Sequence, residues 1–293
     1  MRRFLLALGL VALSAQAQVQ LQLEFDRQKQ FIVGEKCEVA VRIVNYTGGV
    51  LPLGGKPDWL RLSMEEVSGG FVPHAADLPT IGDFTLQPST RGTVRYNLTP
   101  AFRMDHPGRY LIQGSLIDPT SGDTIVSQPA ECEVMNGVVL WEQLYFQPTS
   151  LTNAPQRRRY SLLQANFYQK SQLYFRMSDE TGLQVYNVLQ LGPIVNFEKQ
   201  TQIIDRQTRL HVLHRVGSQE YLYHLFKPDG SLESRKLYLI SGQRGPELRV
   251  NDDGEVAVIG GVRRESPADF QAVTGKPPAP SIVNENDSKP PKS

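Results

Sequence analysis

From Val19 onward, apolar residues fall at every second position in short runs, and turn-forming residues separate the runs. Val19, Leu21, Leu23 and Phe25 alternate with polar neighbours, the period of a strand with one face buried. After Val33-Gly34-Glu35, the side chains of Cys37, Val39, Val41 and Ile43 share one face. Lys36, Glu38 and Arg42 lie on the other, beside Ala40 and Val44. The runs Leu60, Leu62, Met64, then Val94, Tyr96, Leu98, then Tyr110, Ile112, Leu116 repeat the pattern. Thr47-Gly48-Gly49, Gly69-Gly70 and Pro119-Thr120-Ser121-Gly122 supply turns between them. No stretch carries a helical period. Short strands at regular spacing predict an all-β sandwich or barrel over residues 18–137.

Two of these runs carry a resemblance. Val33-Gly34-Glu35 leads into Cys37-x-Val39-x-Val41-x-Ile43-x-Asn45, and Pro107-Gly108-Arg109-Tyr110 opens the run to Ile117-Asp118. They resemble the second and sixth strands of bacterial immunoglobulin-like domains, where a tyrosine fixes the corner before the sixth strand. The resemblance implies an immunoglobulin-like β-sandwich and carries nothing about function. It has one departure. The family's bridge joins the second and sixth strands, whereas Cys132 falls in what counts as the seventh.

Residues 138–264 read as consecutive hairpins, an antiparallel β-meander packed on itself or on the first module. Ser171 to Met177 and Leu183 to Leu191 flank a turn at Asp179-Glu180-Thr181-Gly182. Arg209 to Arg215 and Glu220 to Phe226 flank Gly217-Ser218, where glycine in first place predicts a two-residue type II′ turn. Pro228-Asp229-Gly230 then turns the chain into Leu232 to Ile240, and Asp252-Asp253-Gly254 closes a last hairpin. The run 171–260 is faintly similar to β-propeller blades, but the roughly 120 residues of 138–264 hold two or three blades, short of the four that close a ring.

The two ends of the chain predict compartment and tail. Arg2-Arg3, the apolar run Phe4 to Leu13 and Ala15-Gln16-Ala17 make a signal peptide over residues 1–17. Its apolar run is too short to span a bilayer, and no later segment reaches that length. Export to the periplasm or cell surface of a Gram-negative bacterium is the expectation. Six prolines among residues 265–293 predict a disordered tail. The chain has 31 basic and 30 acidic residues, so losing Arg2 and Arg3 leaves one net negative charge. That balance lacks the basic footprint of a nucleic-acid binder. Cys37 and Cys132 are the only cysteines, and an oxidising compartment invites a disulfide between them, two separately buried thiols being the alternative.

Motifs for nucleophilic catalysis, phosphate loops, zinc proteases and dinucleotide binding are absent from the sequence. Glu65-Glu66 and Asp252-Asp253 are adjacent pairs, whose side chains point to opposite faces or into water rather than across a cleft. With Gly217-Ser218 as the loop, His211 stands across from His224. Two histidines are not a metal site, and no third ligand is forced nearby, Asp205 being only a speculative one. Eight of the eleven tyrosines lie between Tyr145 and Tyr238, and tyrosine is common at recognition surfaces. His211, His224, Tyr221 and Tyr223 are therefore the candidate binding surface. The expectation is an exported, non-catalytic protein that binds a protein or glycan partner, with no cofactor. The rival is a cell-surface hydrolase or metal-dependent enzyme centred on His211 and His224. A third reading is a subunit whose open sheet edge pairs with a partner strand.

Overall fold

The alternating runs pair side by side, and among the described residues every regular element is a strand. The computed structural model describes residues 19–25, 29–147, 156–167, 170–195, 198–242, 244–267, 269–272 and the backbone of 283–286. The expected signal peptide lies outside them.

The N-terminal module contains β1 (Val19–Glu24), β2 (Gln30–Ile32), β3 (Glu38–Asn45), β4 (Leu51–Leu53) and β5 (Leu60–Glu66). It continues with β6 (Phe84–Leu86), β7 (Thr90–Asn97), β8 (Gly108–Ile117), β9 (Thr124–Val126) and β10 (Ala130–Met135). β3 pairs antiparallel with β1 on one side and β7 on the other. A second sheet runs β2-β10-β8-β5, with β2 parallel to β10, the rest antiparallel, and β9 on β8. β4 and β6 pair apart from both. One core joins the two sheets: Val39, Val41 and Val94 from the first cluster with Leu62, Tyr110 and Ile112 from the second. Tyr110 is fully buried and donates its hydroxyl hydrogen to the His106 carbonyl at 2.8 Å, which pins the corner before β8.

The second module begins with β11 (Val138–Gln147), β12 (Gln156–Phe167), β13 (Lys170–Asp179) and β14 (Val185–Pro193), an antiparallel meander. A second meander follows from β15 (Thr201–Ile204), β16 (Leu210–Arg215), β17 (Glu220–Phe226) and β18 (Leu232–Leu239). Next comes the hairpin β19 (Glu247–Val250) with β20 (Val256–Ile259). The short β21 (Val262–Arg264) and β22 (Phe270–Gln271) both pair with β18. These small sheets stack face on face. Leu162, Phe175 and Met177 of the first meander cluster with Leu210, Val212 and Phe226 of the second. The other face of the second, through Leu213, Tyr223 and Leu225, packs against Leu248 and Val258 of the hairpin. The result is a propeller-like arrangement of sheets.

The modules meet at the turn after β2. Ile32 is buried among Leu163, Ala165, Tyr174 and Val188. Gly34 has φ +83°, and a Cβ there would lie 2.6 Å from the Val185 side chain, so both conformation and space demand glycine.

Two short strands fall within the expected tail, of which residues 268, 273–282 and 287–293 lie outside the described residues. Besides β22, residues Val283–Asn286 form β23, antiparallel to β7. A free sheet edge offers backbone donors and acceptors, so a short segment can pair there without burying apolar side chains of its own.

Candidate binding surfaces

The β16–β17 hairpin differs from its expected register by one residue. Val212 stands opposite His224, and His211 stands opposite Leu225. The loop is the three residues Gly217-Ser218-Gln219, with the Val216 and Gly217 amides both donating to the Glu220 carbonyl. Gly217 is not among the glycines with positive φ, which a type II′ turn requires at its first central position. A one-residue slip moves a whole strand's side chains to the opposite face. The expected pair of His211 and His224 is therefore split between two faces of the sheet.

On one face, His211 is buried between two partners. Its Nδ1 lies 2.8 Å from the Tyr223 hydroxyl and its Nε2 lies 3.2 Å from Asp205 Oδ2. Burial pushes the Tyr223 phenol well above its ordinary value and lowers His211 despite the Asp205 carboxylate. Tyr223 thus donates to Nδ1, and Nε2–H donates to Asp205. Burial raises Asp205, but hydrogen bonds from Arg209 and from His211 outweigh it and hold the carboxyl below its usual range. Asp205 is brought to His211 as the sequence raised, as a hydrogen-bond acceptor in a closed chain.

On the other face, His214 and His224 lie buried between the two meanders, their rings stacked 5.5 Å apart at an interplanar angle of 23°. Of the four candidate surface residues, His211, His224 and Tyr223 are buried, and only Tyr221 reaches solvent. Tyr221 donates to Glu198, which also pairs with Arg215 at 2.7 Å. The four residues are core and rim of a packed sheet rather than a contact face. Among the described residues, no three His, Cys, Asp or Glu side chains converge as a metal cluster.

Cys37 and Cys132 are both buried, free thiols, Cys37 just before β3 and Cys132 in β10. They share one core, and the neighbouring Cys132, then burial, pushes the Cys37 thiol far above its ordinary value. The expected disulfide is not formed in the structure, and the two sulfurs are not at bonding distance.

Concave surface occurs on the N-terminal module instead. β5 ends its sheet, and a groove of about 650 Å³ runs beside it, lined by the five consecutive residues Leu60 to Met64. Consecutive residues of a strand point to opposite faces. Both sets reach one groove only where it follows the strand's unpaired edge. The far wall is Phe71, Val72, Leu78 and Phe102, with Phe71 85% exposed. Phe71 bridges Glu65 and so closes one end of the edge. A neighbouring cleft of about 580 Å³ holds Trp59 and Phe84 edge to face, centroids 5.6 Å apart, with Lys56, Asp58 and Asp83 at its rim. Alternation along 60–64 was legible in the sequence. The groove was not, because its far wall comes from the irregular segment 71–80 and from Phe102, which no strand pattern brings to β5.

No protein-family model matches the chain, and no curated protein is similar to it. No helix among the described residues is long and apolar enough to cross a membrane.

Proposed function

We propose that the protein is an exported, non-catalytic interaction protein that takes an extended, apolar segment of a protein partner along β5. The carrying observation is the groove that follows the unpaired edge of Leu60–Met64. A strand added there gains backbone hydrogen bonds, and apolar pockets on either side read its alternate residues. The groove volume lies in the range of sites that enclose a ligand. A glycan is the second reading, favoured by the Trp59–Phe84 cleft with its acidic rim.

In this reading the N-terminal module is an immunoglobulin-like sandwich, supported by the two facing sheets and the Tyr110 corner. The second module is an open meander of blade-like sheets. Export is supported by Arg2-Arg3, the apolar run and Ala15-Gln16-Ala17. The adjacent Cys37 and Cys132 then oxidise to a disulfide.

The test is selection of decapeptides from a random display library on purified mature protein. The expected result is enrichment of alternating apolar sequences, lost on Phe71→Asp, a change at an exposed site with little folding cost. Enrichment indifferent to Phe71→Asp, or none at all, defeats the proposal. Binding of envelope oligosaccharides that Trp59→Ala abolishes would favour the glycan reading.

A further inference from the structure

The outer edge of β7 is covered over only part of its length. On its inner side β3 pairs with all eight residues, Thr90–Asn97. On its outer side Val283–Asn286 pairs antiparallel with Thr90–Thr93 alone, Val283 in register with Thr93 and Glu285 with Arg91. This segment is tethered to β22 through residues 273–282, which include Pro277, Pro278 and Pro280, and Pro290-Pro291 follow it. Proline cannot donate to a ladder, so pairing is confined to the window between these prolines.

We propose that the outer edge of β7 is a strand-acceptor site and that residues 283–286 are a displaceable strap. They close the edge of their own chain and dock on the same edge of a second copy when the contact within the chain is released. Four residues form a short ladder, so the contact within the chain draws on its covalent tether, and a short tether supplies an effective concentration on the order of millimolar. Among the described residues, Val94–Asn97 carries no strand on its outer side. An incoming strand can start pairing there before the strap leaves. The site lies on the sheet opposite the β5 groove and does not rest on the function proposed for that groove.

The test uses the full chain with Asn284→Pro and Glu285→Pro together. Alternate amides of a strand face opposite neighbours, so one of two adjacent prolines removes a strap donor whichever residue supplies it. In the wild type the outward amides of Thr90–Thr93 are expected to exchange slowly with solvent deuterium. In the double variant they exchange at least tenfold faster, while β3 amides are unchanged. A synthetic peptide of residues 281–289 at millimolar concentration restores the protection in the variant, and does not bind the wild type at micromolar concentration. Concentrating the wild type into the millimolar range gives a dimer that the two prolines abolish. Equal exchange in both proteins overturns the strap. An opened edge that the peptide cannot protect overturns the acceptor, and a wild type monomeric at millimolar concentration overturns docking on a second copy. Faster exchange in β3 as well makes the strap a structural part of the sheet rather than a displaceable one, and equally defeats the proposal.

Discussion

His214 and His224 stack ring on ring between the two meanders, and among the described residues no nitrogen of either ring makes a hydrogen bond. Burial pushes His214 down to about 3. Burial, with the neighbouring His214 and Arg235, holds His224 well below its ordinary value. Both rings are neutral in the folded protein, whereas the unfolded chain protonates them below about pH 6.5. The unfolded state then binds more protons, so stability falls as pH drops from about 6.5 toward about 3. Two such groups remove on the order of 2–3 kcal/mol per pH unit. His211, lowered by burial, adds to this loss, and His106, exposed beside Asp105 and Glu66, is raised and offsets part of it. Asp205, Glu198 and Asp269 are held low, so the stability they add is lost only as pH falls below about 4. Urea unfolding at pH 7.5 and pH 5.0 should reveal the difference. The double variant His214→Leu/His224→Phe should lose most of it, and a persisting slope would place its source elsewhere.

Gly34 and Gly69 separate the cost of conformation from the cost of contact. Their φ values are +83° and +89°, but a Cβ at Gly69 meets nothing within 4 Å, while one at Gly34 meets Val185 at 2.6 Å. Alanine at either position bears the left-handed penalty of roughly 1–2 kcal/mol. Gly34→Ala also has to push the two modules apart, for a further loss of about 1–3 kcal/mol. Thermal unfolding of the two variants side by side measures that excess. Equal losses would mean that the turn after β2 yields without disturbing the module contact.

What the sequence revealed and what it concealed follow from how many faces of a strand are covered. β1 and β8 alternate cleanly, as read from Val19, Leu21, Leu23 and from Tyr110, Ile112, Leu116. β12 does not alternate, because Tyr160 to Leu163 are all buried: the N-terminal module covers one face and the second meander the other. Such a strand loses its period and cannot be placed by pattern alone. β3 is likewise buried at Ala40 and Val44, which alternation assigned to the polar side. The histidine pairing failed for a smaller reason. One extra residue in the Gly217-Ser218-Gln219 loop moved His224 from the His211 face to the His214 face. The strand β23, Val-Asn-Glu-Asn, shows no apolar alternation, and an edge ladder made by backbone groups requires none.

The chain from Tyr223 through His211 to Asp205 makes two tyrosines on one strand respond differently to the same change. Tyr223→Phe leaves buried Nδ1 of His211 without a donor, a loss of about 1–3 kcal/mol. Tyr221 donates at the surface to Glu198, whose oxygens have Arg215 and water as alternatives. Tyr221→Phe should therefore cost less than about 1 kcal/mol. Chemical denaturation of both variants at pH 7.5 tests the ranking. The order reversed would mean that the buried chain is loosely made.

Cys37 and Cys132 are free thiols buried in the same core of the N-terminal module, one just before β3 and the other on β10. Oxidation there closes the loop between positions 37 and 132 with both ends already in the core. In the chain-entropy model a loop of that length adds about 4–5 kcal/mol, chiefly by restricting the unfolded chain. Protein recovered from an oxidising compartment should carry no titratable thiol after denaturation and weigh two hydrogens less than its reduced form. Reduction, or Cys37→Ser with Cys132→Ser, should lower the unfolding midpoint while leaving the strand content unchanged. Two titratable thiols per chain in protein recovered from an oxidising compartment would sink the bridge.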